Sequence, residues 1–298
     1  MKRFLGNVML KNAVTPTSKN YYVPAPGIWA MNEAMQACQT NTWPTQGFVA
    51  ASQQEYTASG TYTWVAPIGV TSVSVVCVGA GGSNNGGGGE LRWANSVSVT
   101  PGNSYTVTVG VVQPFTYGAN IAGGFSQFIN SSTCKAFGGN SGGDGGIGYG
   151  GSGGTGGGGG TGGNSNGAAG FYGYYAAGGG TGGYSGNGGN ASSGATASAG
   201  NGGGGGGGSV RQDGGSAGYG GIGGGVGIYG QGASGAGGSW ISGDYVSAYG
   251  KDGSVVAGLS SYFGYGGGYI GATGAVRIIW PGTSGLTRTF PSTNTQNL

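Results

Sequence analysis

The sequence predicts a mostly β protein that carries a large insertion of glycine helices. It comprises an N-terminal docking segment with one short helix, a small antiparallel β-sandwich, and an inserted bundle of polyglycine-II helices. Three observations lead there. Glycine supplies 81 of 298 residues, most of them within residues 138–274, a territory without proline. Inside it glycine keeps a three-residue phase, at Gly142, Gly145, Gly148, Gly151, Gly154, Gly157, Gly160 and Gly163, and again from Gly215 through Gly218, Gly221, Gly224 and Gly227 to Gly230. Beyond it the chain returns to a strand-like run, Ala275-Val276-Arg277-Ile278-Ile279-Trp280.

A period of three belongs neither to the α-helix nor to the strand. It is the repeat of a polyproline-II-type helix, which has no internal hydrogen bonds. The N–H and C=O groups of such a helix must find partners on other segments or in water. Glycine alone lets neighbouring backbones approach closely enough to share those bonds. Collagen has the same period but needs abundant proline, and the flanking prolines are Pro114 and Pro281. A disordered linker is the other reading of Gly/Ser-rich composition. Against it stand the phase and the apolar residues Ile147, Val226, Ile228, Trp240, Ile241 and Leu259. Calcium-binding nonapeptide repeats require an aspartate in each repeat, and only Asp144 has a comparable setting.

Residues 1–50 form a separate segment. Tyr21, Tyr22, Pro24 and Pro26 favour extended chain. Residues 27–38 predict a helix with Ile28, Met31, Met35 and Cys38 along one face, ended by Thr42-Trp43-Pro44. A short apolar helix of this kind cannot bury itself alone, so it reads as a docking element for a partner or a neighbouring copy.

The sandwich is expected over 51–137, completed by 274–281. Glu55-Tyr56-Thr57 and Thr61 to Val65 flank Ala58-Ser59-Gly60 as an expected hairpin. Residues 70–78 alternate, with Val73, Val75 and Cys77 on one face. Tyr105, Val107, Val109 and Val111 alternate with Thr106 and Thr108. Weaker strands are expected around Phe125–Ile129 and Cys134–Phe137. About ninety strand-rich residues suffice for one small sandwich. The glycine region, 138–273, leaves this module and returns to it, so its two ends must lie close together. Residues 282–298 remain as a C-terminal tail.

The β-motifs resemble a known family. The run from Ser59 to Gly82, with Thr61-Tyr62-Thr63-Trp64-Val65-Ala66-Pro67 at its head, resembles the opening of glycine-rich domain proteins of phage tails, and Gly274 to Trp280 resembles their closing strand. The stretch from Pro26-Gly27-Ile28-Trp29 to Thr42-Trp43-Pro44 is similar to N-terminal segments of virion structural proteins. The glycine tract is similar in kind to tail-fibre adhesins of T-even-like phages, whose tips are polyglycine-II bundles with variable host-binding loops. The resemblance implies a virion protein, made in the host cytoplasm, that grips other virion proteins through residues 1–50. Ile28, Trp29, Met31, Met35 and Trp43 become the expected attachment residues, and a homo-oligomer is a further possible partnership.

Aromatic-rich interruptions of the glycine tract are the expected recognition surface. They are Phe171, Tyr172, Tyr174 and Tyr175; then Trp240, Tyr245 and Tyr249; and finally residues 262–269, which are expected to pack near the returning strand. Tyrosine among serine and glycine offers rigid, amphipathic contact area, and ring faces suit sugars. Arg211 adds a polar handle in another loop. The expected partner is bacterial surface glycan or outer-membrane protein. The competing reading is a structural virion part, such as a fibre segment, tail component or capsid decoration, without receptor contact. There the aromatics serve only as an apolar mantle for the bundle.

Composition excludes other classes. Histidine is absent, which removes histidine triads and imidazole metal sites. No catalytic residue, metal or cofactor is expected. Asp244 and Asp252 are the only carboxylates that could be paired as in glycosidases. Charged residues make up 6% of the chain and the net charge is +3 without a basic cluster, so nucleic acid is not an expected partner. The many Gly-x-Gly-x-x-Gly matches follow from composition and precede no helix. No secretory signal or membrane span is expected. Three cysteines, Cys38, Cys77 and Cys134, have no metal-ligand spacing and read as buried or free thiols.

Overall fold

The computed structural model describes residues 50–83, 86–113, 122–140, 155–156, 177–192, 196–209, 221–239, 249–255, 262–267, 270–282 and 288–292, and the backbone of 8–9 and 29–30. The chain divides into two units, Met1–Ala51 with Pro281–Leu286, and Ser52–Trp280 with Thr287–Leu298. In the first, β1 (Val8–Met9) pairs antiparallel with β2 (Trp29–Ala30), Met9 opposite Trp29. Trp29 and Ala30 are therefore extended where the sequence predicts the start of a helix. Aromatic Trp29 suits a strand, and Trp29 and Ala30 pair across to Met9 and Val8. Residues 31–38 lie outside the described residues, among which no helix occurs.

The second unit contains β3 (Ser52–Tyr56), β4 (Gly60–Val65), β5 (Ser72–Val78), β6 (Leu91–Ser98), β7 (Ser104–Val109), β8 (Ser126–Phe128), β9 (Cys134–Ala136) and β10 (Ala275–Trp280). They form two antiparallel four-stranded sheets, ordered β3-β10-β5-β6 and β4-β7-β8-β9. Strand alternation sends Val73, Val75 and Cys77 of β5, with Val276, Ile278 and Trp280 of β10, towards the second sheet. There Trp64 lies 6.0 Å from Trp280 and edge-on to Phe128 at 5.8 Å, between ring centroids. Cys77 and Cys134 are buried free thiols, with Cys77 Sγ 3.8 Å from the carbonyl of Cys134. Burial pushes the Cys77 thiol well above its ordinary pKa.

The first sheet is also covered on its other face. Val76, Val78, Leu91, Ala275 and Ile279 join Tyr184, Val226, Ile228, Tyr229, Phe263 and Phe290 in one core, with Trp93 against it. The valine, leucine, isoleucine and phenylalanine side chains among them, fully buried, contribute about 1.5–3 kcal/mol each. This double coverage is why all six residues of β10 are buried, Arg277 included.

Three sequence expectations change here. The hairpin expected around Ala58-Ser59-Gly60 does not form, since β3 pairs with β10 in the first sheet and β4 with β7 in the second. The pairing sets Glu55 directly opposite Arg277, a favourable cross-strand charge pair. The chain therefore crosses between sheets at 57–59. A strand absent from the sequence reading, β6, pairs with β5 through a bulge in which Val73 faces Val97 and Val75 faces Ala94. Asn95 and Ser96 together stand opposite Ser74, one residue too many, and Ser96 has φ of 54°, so the period of two breaks mid-strand. Finally, the expected tail packs back, with Arg288 and Phe290 only 3% and 2% exposed.

The glycine-rich segments carry neither helix nor extended ladder among the described residues. Their backbone hydrogen bonds run sideways and repeat at steps of three. Gly178 and Thr181 N–H donate to Gly221 and Gly224, while Gly179 and Gly182 donate to Gly86 and Gly89. Gly235 and Gly238 donate to Gly204 and Gly207, and Gly250 and Gly253 to Ile222 and Gly225. Gly203 through Gly208 are all buried, whereas at the periphery Asn187, Asn190, Ser198 and Asn201 are exposed beside buried Gly188, Gly189 and Gly200. Surrounded segments are glycine at most positions, with Thr181 buried among them and donating its hydroxyl to Phe263 O at 2.8 Å, and a peripheral segment keeps glycine where it faces inward.

Candidate functional site

The glycine segments have two ends, distinguished by what they touch. Along 178–184 the partners advance from Gly86 to Gly89 and then to Trp93, whose Nε1–H donates to Tyr184 O at 2.9 Å. One end therefore lies beside the first sheet and the other beyond the point where β6 begins.

The sheet end is fixed by side chains. Tyr184 is fully buried; its hydroxyl donates to Gly227 O and accepts from Gly230 N, both at 3.1 Å. Burial raises its phenol above the ordinary range. Arg277 sends Nη1–H to Ile228 O at 3.1 Å, lies 3.3 Å from Glu55, and stacks 4.3 Å from the Tyr229 ring. Tyr229 in turn donates to Glu55 at 2.9 Å. Burial draws the guanidinium down to about 10, against the opposing pull of Glu55, and pushes the Tyr229 phenol up to about 12. A buried ion pair of this kind fixes geometry more than it stabilises.

The far end is where the chain leaves and re-enters the glycine segments. Gly178 N–H donates to Gly221 O, Gly208 N–H to Gly178 O, and Gly221 N–H to Ser209 O. Ser192 bridges Ser209, and Thr196 bridges Ser239. Ala197 N–H donates to Gly238 O and Gly250 N–H to Ile222 O. Ala177, Ser192, Thr196, Ser209, Gly221, Ser239 and Tyr249 are thereby gathered at one end. They flank 193–195, 210–220 and 240–248 on both sides, and 157–176 at Ala177 alone; on its other side Gly156 lies against β6, where Arg92 Nη1–H donates to its carbonyl at 2.7 Å.

Of the expected recognition residues, Tyr249 is described and stands 47% exposed at this end. Phe171, Tyr172, Tyr174, Tyr175, Arg211, Trp240 and Tyr245 lie outside the described residues, but each belongs to a segment flanked there. Of the expected attachment residues, Trp29 lies in β2, while Ile28, Met31, Met35 and Trp43 lie outside the described residues. Phe263, from the third aromatic group, is buried on Val226 with two backbone bonds between them. Asp252 is partly buried, and its Oδ1 accepts from Gly225 N at 2.7 Å; Asp244 lies outside the described residues. Burial raises the Asp252 carboxyl, opposed by the Gly225 N–H and by Lys251. Its carboxylate thus serves a backbone donor of the glycine segments.

The sequence reading missed Lys135, whose ammonium sits 4.1 Å from the Phe125 ring centre and 4.5 Å from that of Phe137. The alternation Phe125, Gln127 and Lys135, Phe137 on adjacent strands was the available signal. Neither a model of a known protein family nor a curated protein matches the chain.

Proposed function

We propose that this chain is a phage virion protein, of the tail or its fibres, that recognises the host surface through aromatic segments displayed on a polyglycine-II bundle. Residues 1–50 attach it to other virion proteins in this reading. The observation that carries it is the gathering, at the end of the glycine segments away from the sheet, of Ala177, which follows 157–176, and of both residues that flank 210–220 and 240–248. A scaffold that only filled space would have no need to gather the flanks of three such interruptions, two of them rich in aromatic residues, at one end. The polyglycine-II assignment rests on lateral hydrogen bonds that recur at three-residue steps, the repeat of that helix class. Tyrosine and tryptophan among glycine and serine make the surface suited to bacterial glycan or an outer-membrane protein.

The test is binding of the purified protein to a panel of Gram-negative cells and to their extracted surface polysaccharide. Tyr174→Ala and Trp240→Ala are expected to reduce binding by about tenfold or more, the scale of a lost aromatic anchor. Absence of binding to every member, or binding unchanged by both substitutions, would favour a structural virion part instead.

A further inference from the structure

The C-terminal residues 288–292 touch both layers that meet at the first sheet. On the sheet side, Arg288 donates from Nη1 to the Ser52 carbonyl and from Nη2 to Gln53 Oε1, the latter at 3.1 Å. The side chain of Asn95, the residue displaced by the β6 bulge, holds the Phe290 backbone at both groups. Its Nδ2–H donates to Phe290 O at 2.7 Å and its Oδ1 accepts from Phe290 N at 2.9 Å. On the glycine side, the Phe290 ring stacks on Tyr184 at 5.8 Å, and Gln231 N–H donates to Pro291 O at 2.8 Å. The strap therefore crosses the seam between sheet and glycine segments and is bonded to each.

We infer that residues 288–292 are a latch that locks the glycine segments onto the sheet. The geometry is that of a fastener. Arg288 and Phe290 are nearly fully buried, and the backbone of Phe290 is satisfied on both sides by one asparagine. Asn95 follows Trp93 by two residues and so shares its face of β6, and the bulge leaves it outside the paired register, where its amide grips the strap. Other side chains also bridge the seam from the sheet side: Arg277, Trp93 and Arg92 reach backbone carbonyls, and Glu55 accepts from Tyr229, so release of the strap removes one of several ties and leaves the glycine segments held by fewer bonds. The latch does not depend on host recognition.

Hydrogen exchange of the full chain, read peptide by peptide, tests it. Asn95→Ala removes both bonds to Phe290 while leaving the ring in place, and Arg288→Ala with Phe290→Ala removes the strap's anchors. In both, peptides covering 178–190 and 226–235 are expected to exchange about tenfold faster or more, as a locally opening unit does. Peptides of β5 and β7 should keep their protection. Equal acceleration in β5 and β7 would reduce the strap to a general contributor to stability and overturn the inference, as would unchanged exchange throughout. Should the double variant not fold, Asn95→Ala alone separates these outcomes.

Discussion

In the β-sandwich, Val75, Ile278, Trp64 and Phe128 meet through side chains, with the backbones kept apart by them. In the glycine segments, Gly180, Gly205 and Gly224 meet backbone to backbone, with a carbonyl of one against the Cα of the next. Both regions are buried, yet one is held by apolar area and the other by lateral hydrogen bonds. The contrast follows from composition. Each ordered glycine costs about 1–2 kcal/mol of backbone entropy and brings no side chain to bury. What offsets this is the lateral bond, worth about 0.5–1.5 kcal/mol net, together with contact along the whole backbone. The glycine segments therefore depend on neighbours in every direction, and the sandwich depends on what each residue carries.

The sharpest way to break this comparison is to add a side chain where the structure has none. A Cβ on Gly205 would overlap the carbonyl of Gly224, and one on Gly224 the carbonyl of Lys251. Gly205→Val is expected to cost about 3 kcal/mol or more, the upper range of overpacking, read as loss or broadening of the thermal transition. Gly102→Ala provides the control. A Cβ there meets nothing, and its φ of 81° is the sole strain, so a loss of about 1 kcal/mol is expected. Equal losses at the two positions would mean that the glycine segments are not held by backbone contact.

In the sandwich the rule inverts, and removal of a side chain is the damage. Phe128→Ala empties space beside Trp64 and Tyr105 and is expected to cost about 3–5 kcal/mol, measured by denaturant unfolding. In the glycine segments the corresponding truncation at the surface, at exposed Ser198, Ser198→Ala, is expected to cost less than about 0.5 kcal/mol. A large effect there would show that exposed side chains contribute to the glycine region after all.

The two regions also differ in how much the sequence disclosed. β5, β7 and β10 were legible because each is a run of alternating or continuous apolar residues bounded by turns. β6 was not, because Asn95 and Ser96 interrupt its period at the bulge. The partner of β3 could not be read from neighbourhood along the chain, since its mate Arg277 lies more than two hundred residues away and the nearer strand belongs to another sheet. For the glycine segments the three-residue phase was visible, but which segments adjoin was not. Glycines are interchangeable as letters, and only the lateral bonds identify neighbours. The gathering of Ser192, Ser209, Ser239 and Tyr249 at one end is a property of those bonds. Phe290 gave no periodic signal, because its burial rests on Tyr184 and Asn95, both far away along the chain.

The mildest test concerns a charge at the border of the glycine segments. Asp252 accepts a hydrogen bond from Gly225 N, yet burial raises its carboxyl above the ordinary range, with the N–H and Lys251 acting in the opposite sense. A carboxyl raised in the folded state favours folding most when protonated. Its contribution is therefore full below the unfolded pKa, near 3.9, and is lost as pH rises through the folded value. Asp252→Asn keeps an oxygen acceptor for Gly225 and removes the charge. The two proteins should melt together near the bottom of the carboxylate range, with the variant gaining relative to the parent as pH climbs towards neutrality. Partial exposure to solvent limits that gain to about 1 kcal/mol or less. A parent that gained on the variant with rising pH would mean the ionised carboxylate is the form the Gly225 N–H requires. The bond would then outweigh the burial, and charge would join backbone contact among the forces that hold the glycine segments together.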